Sequence, residues 1–117
     1  PNLEYYYSAL DYIFSKTGEL KAFVFSDQID WVKENFHYPE EITFIDNSGT
    51  IDGDIIDFII MKSCRHSIIS NSSYSWWAAW LNSNPDKLVI APKRWYVNEY
   101  YQNQTKDLIP KDWICII

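Results

Sequence analysis

The chain has 117 residues, of which 47% are hydrophobic and 18% aromatic. This length corresponds to one domain with a sizeable core, and this composition excludes a disordered chain. The net charge is −6, and so acidic a chain, which lacks a cluster of lysines and arginines, is not expected to bind nucleic acid.

Helices and strands alternate along most of the predicted chain. Helices are predicted from apolar residues three or four apart, and strands from short apolar runs bounded by polar turns. In chain order we predict a helix at 3–16, a strand at 20–25, a helix at 28–36, a strand at 42–45, a helix at 52–62, a strand at 66–69, a helix at 73–81 and a strand at 88–91. This alternation predicts an α/β fold, a parallel sheet with helices on both faces. Because a helix comes first, the sheet is one strand short.

The residues that connect the predicted helices and strands also have expected roles. Ser26 and Asp27 close the first strand and are expected to cap the following helix. Asp52 and Asp54 are expected to cap the helix at 52–62. The apolar side of that helix consists of Ile55, Ile56, Ile59 and Ile60. Two segments complete the chain, a predicted polar loop at 98–107 and, at 113–117, either a strand or a packed terminal segment.

A polar turn at residues 70–73 carries the most distinctive local pattern. It separates the buried strand at 66–69 from the helix at 73–81, and a Ser or Asn at this point caps a helix. Free backbone N–H groups at a helix start also suit a phosphate or pyrophosphate group. From the pattern alone two interpretations remain. These residues either only cap the helix, or they cap it and also bind an anion.

Polar residues follow three of the predicted strands at their carboxyl ends, where ligands bind in open α/β sheets. These residues are Ser26 and Asp27, then Asn71, Ser72 and Ser73, then Lys93 and Arg94. The coincidence of these three groups predicts a ligand site at this edge of the sheet. Lys93 and Arg94 fit either contact with a phosphate or acceptor sugar, or simple exposure to solvent.

Metal and redox chemistry find little support in the sequence. Cys64 and Cys115 lack metal-ligand spacing and are expected to be reduced core thiols. His66 opens a buried strand, which favours a structural role, and Arg65 is expected to be a surface residue. No metal or other cofactor is expected. No signal peptide or transmembrane run is recognised, so a cytoplasmic location is expected.

The segment from Asn71 to Leu81 resembles the last signature of the alpha-1,2-fucosyltransferases of glycosyltransferase family 11. In that family Asn-Ser-Ser-Phe-Ser-Trp-Trp-Gly-Ala-Trp-Leu follows a Cys-x-His-x-Ile-Ile strand, and here Tyr74 and Ala78 replace the Phe and the Gly. Further similar runs lie at 23–27, 31–35, 90–95 and 107–110. The family's His-x-Arg-x-Gly-Asp element does not occur in the chain. The resemblance therefore implies the C-terminal part of a longer enzyme.

The resemblance implies a Rossmann-like fold, the C-terminal nucleotide-binding half of a GT-B-type glycosyltransferase, with residues 1–117 as its GDP-fucose-binding domain. The implied enzyme is bacterial, inverting and metal-independent, and transfers fucose from GDP-fucose to an acceptor glycan. The missing N-terminal part would be a partner of this segment, which should be inactive alone. Neither a general base nor any other catalytic residue can be named from these residues.

The resemblance also implies roles for particular residues. Asp57 would bond the guanine edge, with Asp54 as its rival, and Ser72 and Ser73 would hold the pyrophosphate. The other residues assigned to the GDP-fucose site are Asn71, Tyr74, Ser26 and Asp27. The alternative function is a non-catalytic carbohydrate-binding module that uses its aromatic rings.

Overall fold

A computed structural model describes residues 2–105 and 107–117. The helices within these ranges are α1 (Leu3–Thr17), α2 (Ile29–Asn35), α3 (Gly53–Ser63), α4 (Ser73–Leu81) and α5 (Glu99–Gln102). The strands are β1 (Lys21–Phe25), β2 (Glu41–Ile45), β3 (Ser67–Ile68), β4 (Val89–Pro92) and β5 (Ile114–Ile116). The predicted order of helices and strands is confirmed from α1 to β4, and the segment at 113–117 contains a strand.

Within the described residues the strands form two parallel sheets. β1 pairs with β2, with Lys21 opposite Glu41, and β3, β4 and β5 form the second sheet in that order. The prediction of an α/β fold with parallel strands is therefore confirmed. The described strands do not form a single sheet, because β1 and β3 do not pair with each other and instead line a common cavity.

Helices cover both faces of the three-stranded sheet. On one face Val89 and Ala91 of β4 join a buried cluster with Ala79 of α4. On the other face Ile90 packs with residues of α1, including Tyr5 and Ala9. Side chains along a strand alternate between the two faces, so β4 contributes to both clusters and is buried throughout. Full burial of one such aliphatic side chain stabilises the fold by about 1.5–3 kcal/mol.

The two-stranded sheet and α3 are covered much less. Both β1 and β2 contain only exposed and half-buried residues, and the side chain of Phe23 is 41% exposed. On α3, Ile55 and Ile59 are 59% and 51% exposed, Ile56 is exposed, and Ile60 is half-buried. Most of the apolar side of this helix is therefore exposed in the described residues. The helical pattern was correct, but no described element packs over most of that face.

Two further predictions are corrected. The predicted polar loop at 98–107 contains α5, because the side chain of Asn98 accepts hydrogen bonds from the backbone N–H groups of Tyr100 and Tyr101. Lys106 in that loop lies outside the described residues. Cys115 is exposed rather than in the core, whereas Cys64 is half-buried, and both are free thiols. In the described part of the chain, no helix is both long and apolar enough to cross a membrane.

Candidate functional site

The turn before α4 has the predicted cap. Ser72 is extended, and its Oγ accepts a hydrogen bond from the backbone N–H of Ser75 at 3.2 Å. The first backbone hydrogen bond of the helix runs from the N–H of Trp76 to the carbonyl of Ser72 at 3.1 Å. Ser72 thus satisfies one of the N–H groups that every helix leaves free at its start.

A small cluster of serine hydroxyls holds this turn in place through hydrogen bonds. The Oγ of buried Ser75 lies 2.8 Å from that of Ser72, and the Oγ of Ser70 donates to Ser72 at 3.2 Å. Ser70 and Ser75 are not among the predicted site residues. Their spacing could have indicated this contact, because the residues two positions before and three positions after an N-cap lie beside its side chain. The hydroxyl of Ser72 is therefore engaged mainly within the protein.

The next two residues leave hydrogen-bonding groups available. Among the described residues, the backbone N–H groups of Ser73 and Tyr74 have no acceptor, and the Ser73 side chain is exposed without a hydrogen-bond partner. Free N–H groups at the start of a helix carry a partial positive charge and favour anions. This part of the turn can accept a phosphate oxygen without disturbing the cap.

Asp57 lies close to this turn because α3 packs beside α4. The ring of Phe58 on α3 makes an edge contact with Tyr74, at 5.4 Å between centroids. The hydroxyl of Tyr74 donates to the backbone carbonyl of Asp54. Burial raises the pKa of Tyr74, and the carboxylates of Asp57 and Asp54 raise it further. The structure therefore brings Asp57, Asp54 and Tyr74 together next to Ser73.

The side chain of Asp57 is held by Asn47, which is not among the predicted site residues. The Nδ2 of Asn47, in the loop after β2, donates to Oδ1 of Asp57 at 2.6 Å. Among the described residues, the other carboxylate oxygen has no hydrogen bond and can accept one from a ligand. Asn47 approaches α3 very closely, since a Cβ atom on Gly53 would lie 2.3 Å from the backbone oxygen of Asn47. A glycine in the first turn of a predicted helix was the signal for this approach.

The two acidic residues at the start of α3 do not cap it as expected. Asp52 occupies the N-cap position in a left-handed conformation, with φ of 61°, and its side chain makes no capping hydrogen bond within the described residues. Asp54 lies in the first turn, where a carboxylate interacts favourably with the helix dipole. The capping prediction for this pair is therefore wrong.

Ser26 and Asp27 follow β1 and are both exposed. The Oγ of Ser26 accepts a hydrogen bond from the N–H of Gln28 at 3.0 Å, which closes a local turn. Gln28 rather than Ser26 or Asp27 holds the N-cap position of α2, so that prediction is also wrong. Ser26 lines the same cavity as Ser70 and Ser75, which connects the carboxyl end of β1 to the serine turn.

The third predicted polar group is held within its own loop. Arg94 forms an ion pair with Glu99, and its guanidinium also donates to the carbonyl of Val97 at 3.0 Å. The Nδ2 of Asn71 donates to the carbonyl of Trp95 at 3.1 Å, which ties the serine turn to this loop. Asn71 therefore joins the two strand ends, and Arg94 organises its loop.

His66 has the structural role that its position predicted. Its Nδ1 accepts a hydrogen bond from the N–H of Leu88 at 2.9 Å, which requires an unprotonated Nδ1. Burial lowers the pKa of His66, and the positive charge of Arg65 lowers it further. The ring connects the segment before β3 to the segment before β4.

This arrangement predicts a pH dependence of stability. Since the pKa of His66 is lower in the folded chain than its ordinary value near 6.5, the unfolded chain binds a proton first. The contribution of His66 is complete above pH 6.5 and should be lost as the pH falls below that value through the folded pKa. Urea unfolding between pH 8 and pH 5 measures it. His66→Asn keeps an acceptor oxygen but cannot titrate, so it should flatten this part of the profile. An equal slope in the variant would contradict the assignment.

In residues 2–105 and 107–117, no three His, Cys, Asp or Glu side chains are grouped so that they could hold a metal ion. The polar groups that converge near α4 are two backbone N–H groups, serine hydroxyls and the Asp57–Asn47 pair. These groups can bind an anion, and they can also accept hydrogen bonds from donor groups that lie beside the anion.

Parallel strands joined by helices, with polar residues at the strand ends, define an α/β protein with a candidate ligand site at the edge of its sheets. The sequence pattern of glycosyl transferase family 11 matches residues 2–117, and the chain belongs to this family.

Two Escherichia coli proteins are similar to the chain. The O-antigen biosynthesis glycosyltransferase WbnK is 36% identical over 105 residues, which cover 90% of this chain and 34% of that protein. An alpha-1,2-colitosyltransferase is 33% identical over 116 residues, which cover 96% of this chain and 38% of that protein. The chain thus spans little more than a third of the length of these relatives. No solved structure matches it.

Proposed function

We propose that residues 1–117 form the GDP-fucose-binding domain of an inverting, metal-independent alpha-1,2-fucosyltransferase. In this proposal the domain is the Rossmann-like, C-terminal half of a GT-B-type enzyme that works in the cytoplasm on a bacterial surface polysaccharide. Family membership and the names of both relatives support glycosyl transfer over a carbohydrate-binding module. The observation that carries the proposal is that backbone N–H groups without an acceptor, at the start of α4, lie near Asp57.

The diphosphate of the donor would bind at the start of α4. The N–H groups of Ser73 and Tyr74 and the hydroxyl of Ser73 supply three donors, while Ser72 holds the turn in place. Negative charge grows on the diphosphate as the sugar departs. Fixed donors that meet this charge lower the barrier to transfer, since they need no rearrangement during the reaction. Asn71, Ser26 and Asp27 complete the proposed donor site at the neighbouring strand ends.

The guanine base would be recognised by Asp57. An ionised carboxylate only accepts hydrogen bonds, and guanine offers adjacent N1–H and N2–H donors. Asn47 fixes one carboxylate oxygen, so the side chain does not have to be ordered when the nucleotide binds. Adenine has no such donor pair, and a carboxylate that faced it would lose its partners.

Asp57→Asn is expected to weaken GDP binding by about 1–3 kcal/mol and to reduce the preference for GDP over ADP. The substituted amide keeps the size of the side chain but can present an N–H group to the donors of guanine. Competition binding of GDP and ADP to the full-length protein measures both quantities. An unchanged ratio of the two affinities would overturn the role of Asp57.

Two matched variants separate the parts of this site. Ser73→Ala should weaken GDP and ADP equally, because both nucleotides carry the diphosphate. Asp54→Asn should leave the ratio unchanged, since Asp54 lies one turn from Asp57 and is exposed. A change of ratio in the Asp54 variant but not in the Asp57 variant would transfer the guanine role to Asp54.

A further inference from the structure

The two sheets are separated by a cavity of about 1140 Å³. One wall is β1, from Lys21 to Phe25, and the opposite wall includes Ile68 of β3. β1 pairs with β2 and β3 pairs with β4, so each has one edge that pairs with no strand in the described part of the chain. These two unpaired edges line the same space.

The remaining walls of the cavity are formed by helices, which normally cover the faces of a sheet. Apolar residues of α1 line the cavity, among them Tyr6, Leu10 and Ile13, and Met61 at the end of α3 lines it as well. A five-residue strand in a packed sheet occupies about 800 Å³, from a spacing of ~4.8 Å between strands, ~10 Å between layers and a rise of ~3.3 Å per residue. The cavity has room for one strand with its side chains.

The exposure of β1 also indicates that there is room for a strand beside it. Parallel strands are normally buried on both faces, and the sequence of β1 is mostly apolar. Yet no residue of β1 is buried, whereas every residue of β4 is. A strand between β1 and β3 would satisfy both open edges and cover Phe23 and its neighbours.

We propose that this gap receives one further strand, supplied by the segment that immediately precedes residue 1 in the whole protein. The completed sheet would have the order β2, β1, new strand, β3, β4, β5. A strand, then α1, then β1 forms the shortest parallel crossover unit, and because consecutive strands are usually neighbours in a sheet, the new strand would lie beside β1. A segment after residue 117 would instead start from β5, at the far edge of the other sheet.

The lengths of the relatives are compatible with this occupant, since the chain covers 34% and 38% of them. The new strand would also affect the candidate site. Ser26 and Ser70 lie at the carboxyl ends of the two walls, so residues that follow the new strand would emerge between them. The structural claim itself does not depend on nucleotide binding, and its test uses none.

Hydrogen exchange measured by mass spectrometry tests the proposal on three lengths of the protein. These are the full-length protein, the 117-residue chain, and a version that keeps only about 20 residues before residue 1, enough for a strand and its turn. Amides of β1 and β3 should exchange about tenfold more slowly in both longer versions than in the 117-residue chain, because their open edges become paired. Amides of β4 serve as the control and report that the fold is intact.

The two thiols give a second readout that does not depend on the 117-residue chain folding by itself. Cys64 lines the gap and Cys115 is exposed on β5, so Cys64 should react with a thiol reagent as slowly in the version with the short added segment as in the full-length protein. In the shortest chain, if it folds, Cys64 should react faster than in the longer versions, and Cys115 should not change. Protection of β1 and β3 only in the full-length protein would mean that another part covers the gap, and this would overturn the proposal. Equal exchange in all three versions would overturn it as well.

Discussion

Replacing Tyr5 with alanine is expected to destabilise the chain by about 3–5 kcal/mol, the range for truncating a buried aromatic side chain. Tyr5 is 1% exposed and lies between α1 and the three-stranded sheet. Its hydroxyl donates to the carbonyl of Ile69 at 2.6 Å and is 3.1 Å from that of Ile90. Urea unfolding at neutral pH measures the loss.

Tyr5→Phe separates packing from hydrogen bonding. It keeps the ring but removes the hydroxyl that donates to the carbonyl of Ile69, while the carbonyl of Ile90 keeps the N–H of Ile69 as a donor. The substitution should cost about 1–3 kcal/mol. Burial raises the pKa of Tyr5 far above its ordinary value, so the hydroxyl remains a donor throughout the measurement. If Tyr5→Ala had little effect, the packing of α1 on β3 and β4 would be wrong.

Gly53→Ala is expected to destabilise the chain by about 1–3 kcal/mol, although alanine normally stabilises a helix relative to glycine by about 1 kcal/mol. The added Cβ would lie 2.3 Å from the backbone oxygen of Asn47, so the loop after β2 must move. That movement should break the hydrogen bond from Asn47 to Asp57 and, under the proposed function, weaken GDP binding. Unfolding and GDP titration measure the two effects.

Gly49→Ala is the matched control for this prediction. Gly49 lies in the same loop, but apart from its two neighbours in the chain no described residue has an atom within 4 Å of the Cβ that alanine would add. It should therefore leave stability and nucleotide binding nearly unchanged. If both alanine variants behaved alike, the close approach at Gly53 would not be what positions Asn47.

The order of elements and the cap of α4 could be predicted from the sequence, because both depend on residues close together in the chain. Apolar spacing gave the helix at 73–81, and the Ser72 side chain caps it as predicted. Gly18 ends α1 with φ of 76°, a conformation that glycine adopts without steric cost. Local patterns also indicated a structural role for His66, although its partner Leu88 was not foreseen.

The tertiary structure alone decided which surfaces meet. Tyr5 and Tyr6 are adjacent and equally apolar, yet docking of α1 on β3 and β4 buries Tyr5 fully and leaves Tyr6 half-buried beside the gap. The pair of Asn47 with Asp57 depends on the loop after β2 contacting α3. The split into two sheets depends on which strand edges find partners. Pairing and packing join residues far apart in the chain, and their free energies depend on the whole arrangement rather than on any local run of residues.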